Sequence, residues 1–542
     1  MQFLDVETRR ALHFDGIWAR INPVSPLGRA KKRQAEAFLP HQVGELEDEL
    51  CRLERATAGL RGDPGAADNL LYLLGSLVDL QTTLQRSQQG TTLDDTEFYE
   101  VKKLLIIAEK VATELERLKW AELLPHELDL CPDLRVLLSR GQGNRESFYL
   151  ADAYDDNLAA VRQKRLAVEE HLAEYRSAAE AKVTASTGRI LSMEGEIAVS
   201  RRDMEVITEL EAIAELEKVQ ESAEAVTFRL KEDQQLREMR QHLGLLRAEE
   251  EACKERIKRD LTASVGTYAP RLLRILELLG LLDFLLAKAR FCAEIKGVKP
   301  VLWADPVLKI EQGRDLTVED EVVKAGLNYS PVSLRLQPGV TLISGPNMGG
   351  KTVSLKTVGL LTAMAQYGLL VPAVSFQLQP RSFIRAHLAG DGMVQGLSKF
   401  AREMLFLREA INHSQEAGLI LIDELAHGTN PAEGAAVAQA VVERLLDQNA
   451  ITVITTHFPS LARVSGICHY RVKGLNKEEL RRKVDLLSSQ GITVLQRLMD
   501  YRLEPAVPGD IGSDAVLVAE AIGLEPGIIA RVKDLQRRET RG

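Results

Sequence analysis

Between Pro132 and Pro270 the chain contains no proline, and apolar positions recur at intervals of three and four among Ala, Leu, Glu, Lys and Arg. That period is the signature of amphipathic helices. It predicts long helices through "NLAAVRQKRLAVEEHLAEYRSAAEAK" and through "ITELEAIAELEKVQESAEAVTFRLKEDQQLREMRQHLGLLRAEEEACKERIKRDL", paired as a coiled-coil hairpin. Between them, "GRILSMEGEIAVSRRDMEVI" alternates around a glycine and predicts a small β element. Residues 41–120 also read as helical, most clearly in "LEDELCRLERA" and "VKKLLIIAEKVATELERL". Past residue 300 the texture changes. Short β-rich runs, "VTLIS", "LILID" and "ITVITT", alternate with helical patterns, as expected for an α/β domain with a largely parallel sheet. The stretch "DPVLKIEQGRDLTVED" reads as a linker between the halves. The expected fold class is therefore mixed: an all-α N-terminal core with a long helical arm, followed by an α/β domain. The expected boundaries are 1–130 for the core, 131–300 for the arm and its return, and 301–542 for the α/β domain with a C-terminal helical segment.

Composition narrows the setting. At 542 residues the chain is too long for one core. Hydrophobic residues make up 45%, charged residues 27%, the formal net charge is −9 and the pI is near 5.8. A nucleic-acid surface is normally basic, so this balance gives DNA binding no support, although a local patch can hide inside a negative total. Cys51, Cys131, Cys253, Cys292 and Cys468 are scattered without metal-binding spacing and read as reduced and structural. The N-terminus has charges throughout and no apolar signal-peptide core. The run "LLRILELLGLLDFLLAKA" is broken by Arg274, Glu277 and Asp283, so it predicts a buried helix rather than a membrane span. A cytoplasmic protein without membrane contact is expected.

The chemistry concentrates at three predicted strand ends. "GPNMGGKT", Gly345 to Thr352, fits G-x-x-x-x-G-K-[ST] with an apolar strand before it and a helical pattern after it. Such a loop lets backbone amides close on phosphates at a helix N-terminus. Gly345, Pro346, Asn347, Met348, Gly349, Gly350, Lys351, Thr352 and the following Val353 are the expected ATP-binding residues. Lys351 reaches the β- and γ-phosphates and Thr352 ligates Mg²⁺. A second strand, "GLILIDEL", ends in Asp423 and Glu424. Unpaired carboxylates at the end of an apolar strand are costly unless they serve a purpose. Here Asp423 is expected on Mg²⁺, and Glu424 is expected to polarise the attacking water. The third strand, "ITVITTHF", ends at His457, placed to sense a γ-phosphate. Lys351, Glu424 and His457 are thus the candidate catalytic residues. A chance glycine turn, two surface acids and a polar strand cap explain each feature singly. They do not explain the three together.

"SGPNMGGKT", "LILIDELAHGTNPAEGAAVAQAVVERL" and "TTHF" resemble the ATPase domain of the MutS family, most closely its Smr-bearing branch. The resemblance is specific over roughly 330–530 and weaker over 1–300, where only the order of helical core, arm and return matches. It implies an ABC-type ATPase that works as a homodimer, each ATP held between one subunit's phosphate loop and the other's signature segment. That segment here is "LSKFAREM", with Ser398 at the partner's γ-phosphate. The resemblance also implies that Tyr329 stacks on adenine and that "GTNP" lies at the dimer seam. Departures are visible. "GDGMVQGLSKF" keeps Gly390 and Asp391, lacks the family's Gln-Ser pair and has Lys399 where Thr is usual. The chain also ends at "PGIIARVKDLQRRETRG", which carries the expectation that the Smr nuclease domain is absent. Phe98-Tyr99-Glu100 has the Phe-x-Glu form used at mismatches, but it sits in a helical polar stretch and reads as chance.

Two uses of ATP follow from the resemblance. In one, helical arms clamp mismatched or branched DNA in repair or recombination. In the other, the client is a protein, such as a cobalamin-dependent aminomutase whose inactivated cofactor is prised out. The family places DNA slightly ahead, while the acidic balance counts against a full repair role.

Overall fold

The computed structural model describes residues 2–142, 147–192, 195–346, 349–388, 399–427, 429–475, 499–506, 516, 519 and 524–539. The chain is a mixed α/β protein divided into two compact units. One unit comprises Met1–Leu77, Val111–Glu127 and Glu277–Gly542; the other comprises Val78–Lys110 and Leu128–Leu276. Helices Asp95–Leu118 and Gln234–Glu294 supply residues to both.

In the second unit, helix Asp156–Thr187 starts at Asp155, whose carboxylate accepts from the amides of Asn157 and Leu158. It is tied to the 61-residue helix Gln234–Glu294 by ion pairs: Arg162 and Arg165 reach Glu250 at 3.1 and 3.0 Å, and Arg256 reaches Asp155 at 2.5 Å. The second helix continues through Pro270. Between the two helices lies a three-stranded antiparallel sheet, Glu196–Ser200, Ala225–Leu230 and Leu216–Glu221 in spatial order, with helix Met204–Glu211. Val183, Ile197, Val199, Leu210, Val226 and Phe228 form its core. The strand at 196–200 falls inside the predicted β element. The long helix expected from residue 207 does not form there: it stops at Glu211, and residues 216–230 form a hairpin. The reason is local. Val226-Thr227-Phe228 is a β-branched and aromatic run, and Ser222 closes the turn by accepting from the Ala225 amide at 3.0 Å. Phe98 is fully buried and its ring packs on Phe148 at 5.1 Å, so the phenylalanine of the Phe-x-Glu triplet is a core residue.

The first unit is built on a six-stranded sheet in the order Met499–Pro505, Cys468–Leu475, Gly339–Ser344, Ile451–Thr455, Leu419–Ile422 and Ile384–His387. All neighbours are parallel except the first pair. Strands 339–344, 419–422 and 451–455 are buried along their whole length, as continuous apolar runs in a parallel sheet should be. The stretch expected to be a linker is structured instead. Leu308–Gly313 is a strand in a four-stranded sheet with Val301–Leu302, Ser375–Leu378 and Val332–Leu336, and Leu316–Lys324 is a helix capped by the Asp315 carboxylate. Leu308 and Ile310 alternate inward with Lys309 and Glu311, a period of two that marks a half-buried strand. Among the described residues no helix is long and apolar enough to cross a membrane. The apolar run 272–289 is a buried segment of helix Gln234–Glu294.

Candidate active site

Because strands 339–344, 419–422 and 451–455 are parallel neighbours, the residues that follow them emerge at one edge of the sheet. The first strand turns through Gly345 and ends its loop at Gly350, whose φ of 78° suits glycine and caps helix Lys351–Gln366. A β-carbon at Gly350 would also lie 3.1 Å from the Tyr501 ring.

Lys351 opens the helix and is buried. Its ammonium donates to the carbonyls of Gly345 at 2.8 Å and Pro346 at 3.2 Å, and lies 3.4 Å from His457 Nε2. None of these partners is an anion. Burial pushes its pKa down, and the more distant Glu424 and Asp423 push it back up. A buried ammonium held by carbonyls is suited to meet a phosphate. Thr352 Oγ1 donates to Asp423 Oδ2 at 2.7 Å. A hydroxyl and a carboxylate oxygen side by side are the hard donors that Mg²⁺ takes when substrate phosphate and water complete its shell. Among the described residues no cluster of three or more His, Cys, Asp or Glu is arranged for a metal, and a site of this kind does not need one.

The acid pair is held by groups from neighbouring elements. Thr455 Oγ1 donates to Asp423 Oδ1 at 2.5 Å and accepts from the Glu424 amide at 2.8 Å. The Asp423 amide donates to the His387 carbonyl at 2.8 Å. Glu424 and Ala426 both adopt left-handed backbone, φ 54° and 61°, which is unfavourable for residues with side chains by roughly 1–2 kcal/mol each. The turn is held from two sides. The buried Glu403 accepts from the Ala426 amide at 2.6 Å, and Gly434 approaches so closely that a β-carbon there would lie 2.6 Å from the Ala426 carbonyl oxygen. Glu424 Oε1 lies 3.4 Å from His457 Nε2, and the His457 ring meets the His427 ring edge-on at 6.1 Å. Burial lowers the His457 pKa, as do Lys351 and His427, against the pull of Glu424. The imidazole is therefore held toward its neutral form.

The structure thus brings Lys351, Thr352, Asp423, Glu424 and His457 into one cluster beside Gly345, Pro346, Gly349 and Gly350. Val353, two residues into the helix from Lys351, accepts from the Thr357 hydroxyl through its carbonyl. Tyr329 hydrogen-bonds elsewhere: its hydroxyl accepts from the Asp315 amide at 2.8 Å and meets Thr357. Asn347, Met348 and Ser398 lie outside the described residues, as do Gly390 and Asp391. Sequence reasoning passed over Thr455, Glu403, His427 and Tyr501. Thr455 stood in the "TTHF" run, but a hydroxyl at a strand end carries no local signal of its partners.

Residues 341–503 match the family model MutS domain V, a span that holds the loop, the acid pair and His457. The chain is 28% identical over 477 residues to Endonuclease MutS2 of Geobacillus sp. (strain WCH70), covering 85% of this chain and 57% of that protein. It is 33% identical over 300 residues to Endonuclease MutS2 of Staphylococcus aureus (strain Newman), covering 55% of this chain and 36% of the relative. Over these spans the chain is similar to MutS-family proteins. It spans less than two thirds of the length of these relatives.

Proposed function

We propose that this chain is a MutS-type ATPase that binds and hydrolyses ATP and couples it to DNA binding in repair or recombination. The observation that carries the reading is the convergence of Lys351, Thr352, Asp423, Glu424 and His457 at adjacent ends of parallel strands. In this reading Lys351 and the loop amides hold the β- and γ-phosphates. Thr352 and Asp423 hold Mg²⁺, which neutralises phosphate charge when bound. Glu424 accepts hydrogen bonds from the attacking water and orients it, and the neutral His457 beside it hydrogen-bonds the same water or a γ-phosphate oxygen. Tyr329 and Tyr501, the latter against Gly350, are the aromatic candidates for stacking on the nucleobase. Two chains close around two ATP molecules in an ABC-type arrangement.

The DNA assignment rests on the family and on the relatives' name, endonuclease, which denotes action on nucleic acid. No observation on the described residues favours an aminomutase client. The test is steady-state ATP turnover with and without duplex, mismatched and branched DNA, at low and moderate salt. Stimulation by one DNA form, weakening with salt as phosphate contacts require, supports the reading. Turnover indifferent to every DNA form, with no retention on DNA, would refute the DNA half and leave the ATPase half standing.

A further inference from the structure

We propose that Glu403 is a positioning residue for ATP hydrolysis: from helix Lys399–Asn412 it fixes the backbone turn that aims Glu424. The inference rests on the ATPase reading above and adds to it the group that holds the hydrolytic carboxylate in place. Glu403 is a carboxylate only 3% exposed, which is costly for an acidic side chain unless its oxygens are satisfied. One of them, Oε1, accepts from the Ala426 amide at 2.6 Å, a short bond of the charge-assisted kind. Ala426 lies two residues past Glu424, and both are in left-handed conformations that an unsupported turn would relax. The Glu424 amide is already pinned on its other side by Thr455 Oγ1 at 2.8 Å. Glu403 and Thr455 therefore clamp the strained turn between them, and Glu424 leaves it toward His457. The same helix packs on the residue that supports the other acid. Phe406, one turn along from Glu403, packs its ring on His387 at 5.4 Å, and the His387 carbonyl accepts from the Asp423 amide at 2.8 Å. A shift of this helix would move both acids' backbone supports together.

The test compares Glu403→Ala and Glu403→Gln with wild type in ATP affinity, kcat, KM and thermal midpoint. Gln retains an oxygen that accepts from the Ala426 amide; Ala does not. Loss of a bond to a charged group predicts a fall in kcat of roughly ten- to a hundred-fold for the Ala variant, with ATP affinity and KM within about three-fold of wild type. The Gln variant should recover most of the turnover. If Glu403→Ala turns over ATP at the wild-type rate, Glu403 positions nothing. If kcat per bound ATP is unchanged and only the midpoint falls in both variants, its role is structural and the proposal fails. If wild type binds ATP but hydrolyses none, the ATPase reading fails and this inference falls with it, a result visible before any variant is made.

Discussion

Thr455 and Thr452 lie on one strand, both fully buried, and the same substitution at each should have opposite effects. Thr455 Oγ1 donates to Asp423 Oδ1 at 2.5 Å and accepts from the Glu424 amide at 2.8 Å. The Thr452 hydroxyl is buried without a hydrogen-bond partner among the described residues. Valine matches threonine in shape, so neither change opens a cavity. At 455 the chain loses a bond to a charged carboxylate, about 1.5–3 kcal/mol, and leaves an amide short of its acceptor. Because Glu424 is only half-buried, the second loss is discounted, and the expected total is ~2–4 kcal/mol. At 452 a buried, unpaired hydroxyl is replaced by a methyl, so stability should hold or rise by about 1 kcal/mol. All three tryptophans, Trp18, Trp120 and Trp303, belong to the unit that carries the site, so their fluorescence follows that unit alone. In urea, Thr455→Val should lower the fluorescence midpoint by on the order of 1 M while Thr452→Val leaves it level or raised. ATP turnover should fall for the first variant only. Equal midpoints for the two variants would show that the Thr455 bonds do not hold the acid pair, and the account of the turn would have to be abandoned.

Other expectations follow from the same geometry. Lys351→Ala should abolish binding of a fluorescent ATP analogue; retained affinity would remove Lys351 from the phosphate site. Gly434→Ala places a carbon 2.6 Å from the Ala426 carbonyl oxygen, so it should lower both the urea midpoint and kcat, and a silent variant would mean the turn is free to shift. His457 has its pKa below the ordinary value of about 6.5, so the unfolded chain takes up the proton first. Its contribution to stability is therefore whole above that value and is lost as the pH falls through the folded-state pKa. Urea midpoints from pH 7.5 down to 5 should drop further for wild type than for His457→Gln, and parallel profiles would contradict the assigned direction.

The parts of the fold legible from sequence are those with local causes. The β-branched and aliphatic runs at 340–343, 419–422 and 451–454 are buried on both faces of a parallel sheet, and their composition says so without any partner in view. The candidate phosphate loop is legible because its glycines, lysine and threonine stand close together in the chain. Residues 216–230 were harder. Their Glu, Lys and Ala content matches the helices on either side, and only the short Val-Thr-Phe run and the Ser222 turn decide for strands. At 308–313 the alternation was present but overshadowed by charge. The returns of the chain into the first unit, at 111–127 and from 277, occur inside continuous helices and leave no mark in the pattern. Nor could Glu403, Thr455 and Tyr501 be read as site residues, since each acts through a partner 23, 32 or 151 positions away in the chain: Ala426, Asp423 and Gly350.

The central claim is that one cluster binds ATP through Lys351 and hydrolyses it through Glu424. It is tested most directly by a single-turnover measurement on wild type and Glu424→Gln, with Mg²⁺ and labelled ATP in limiting amount. The account predicts that both proteins bind the nucleotide with similar affinity, that wild type converts it to ADP and phosphate, and that the Gln variant holds it unhydrolysed. Hydrolysis by Glu424→Gln at the wild-type rate would contradict it.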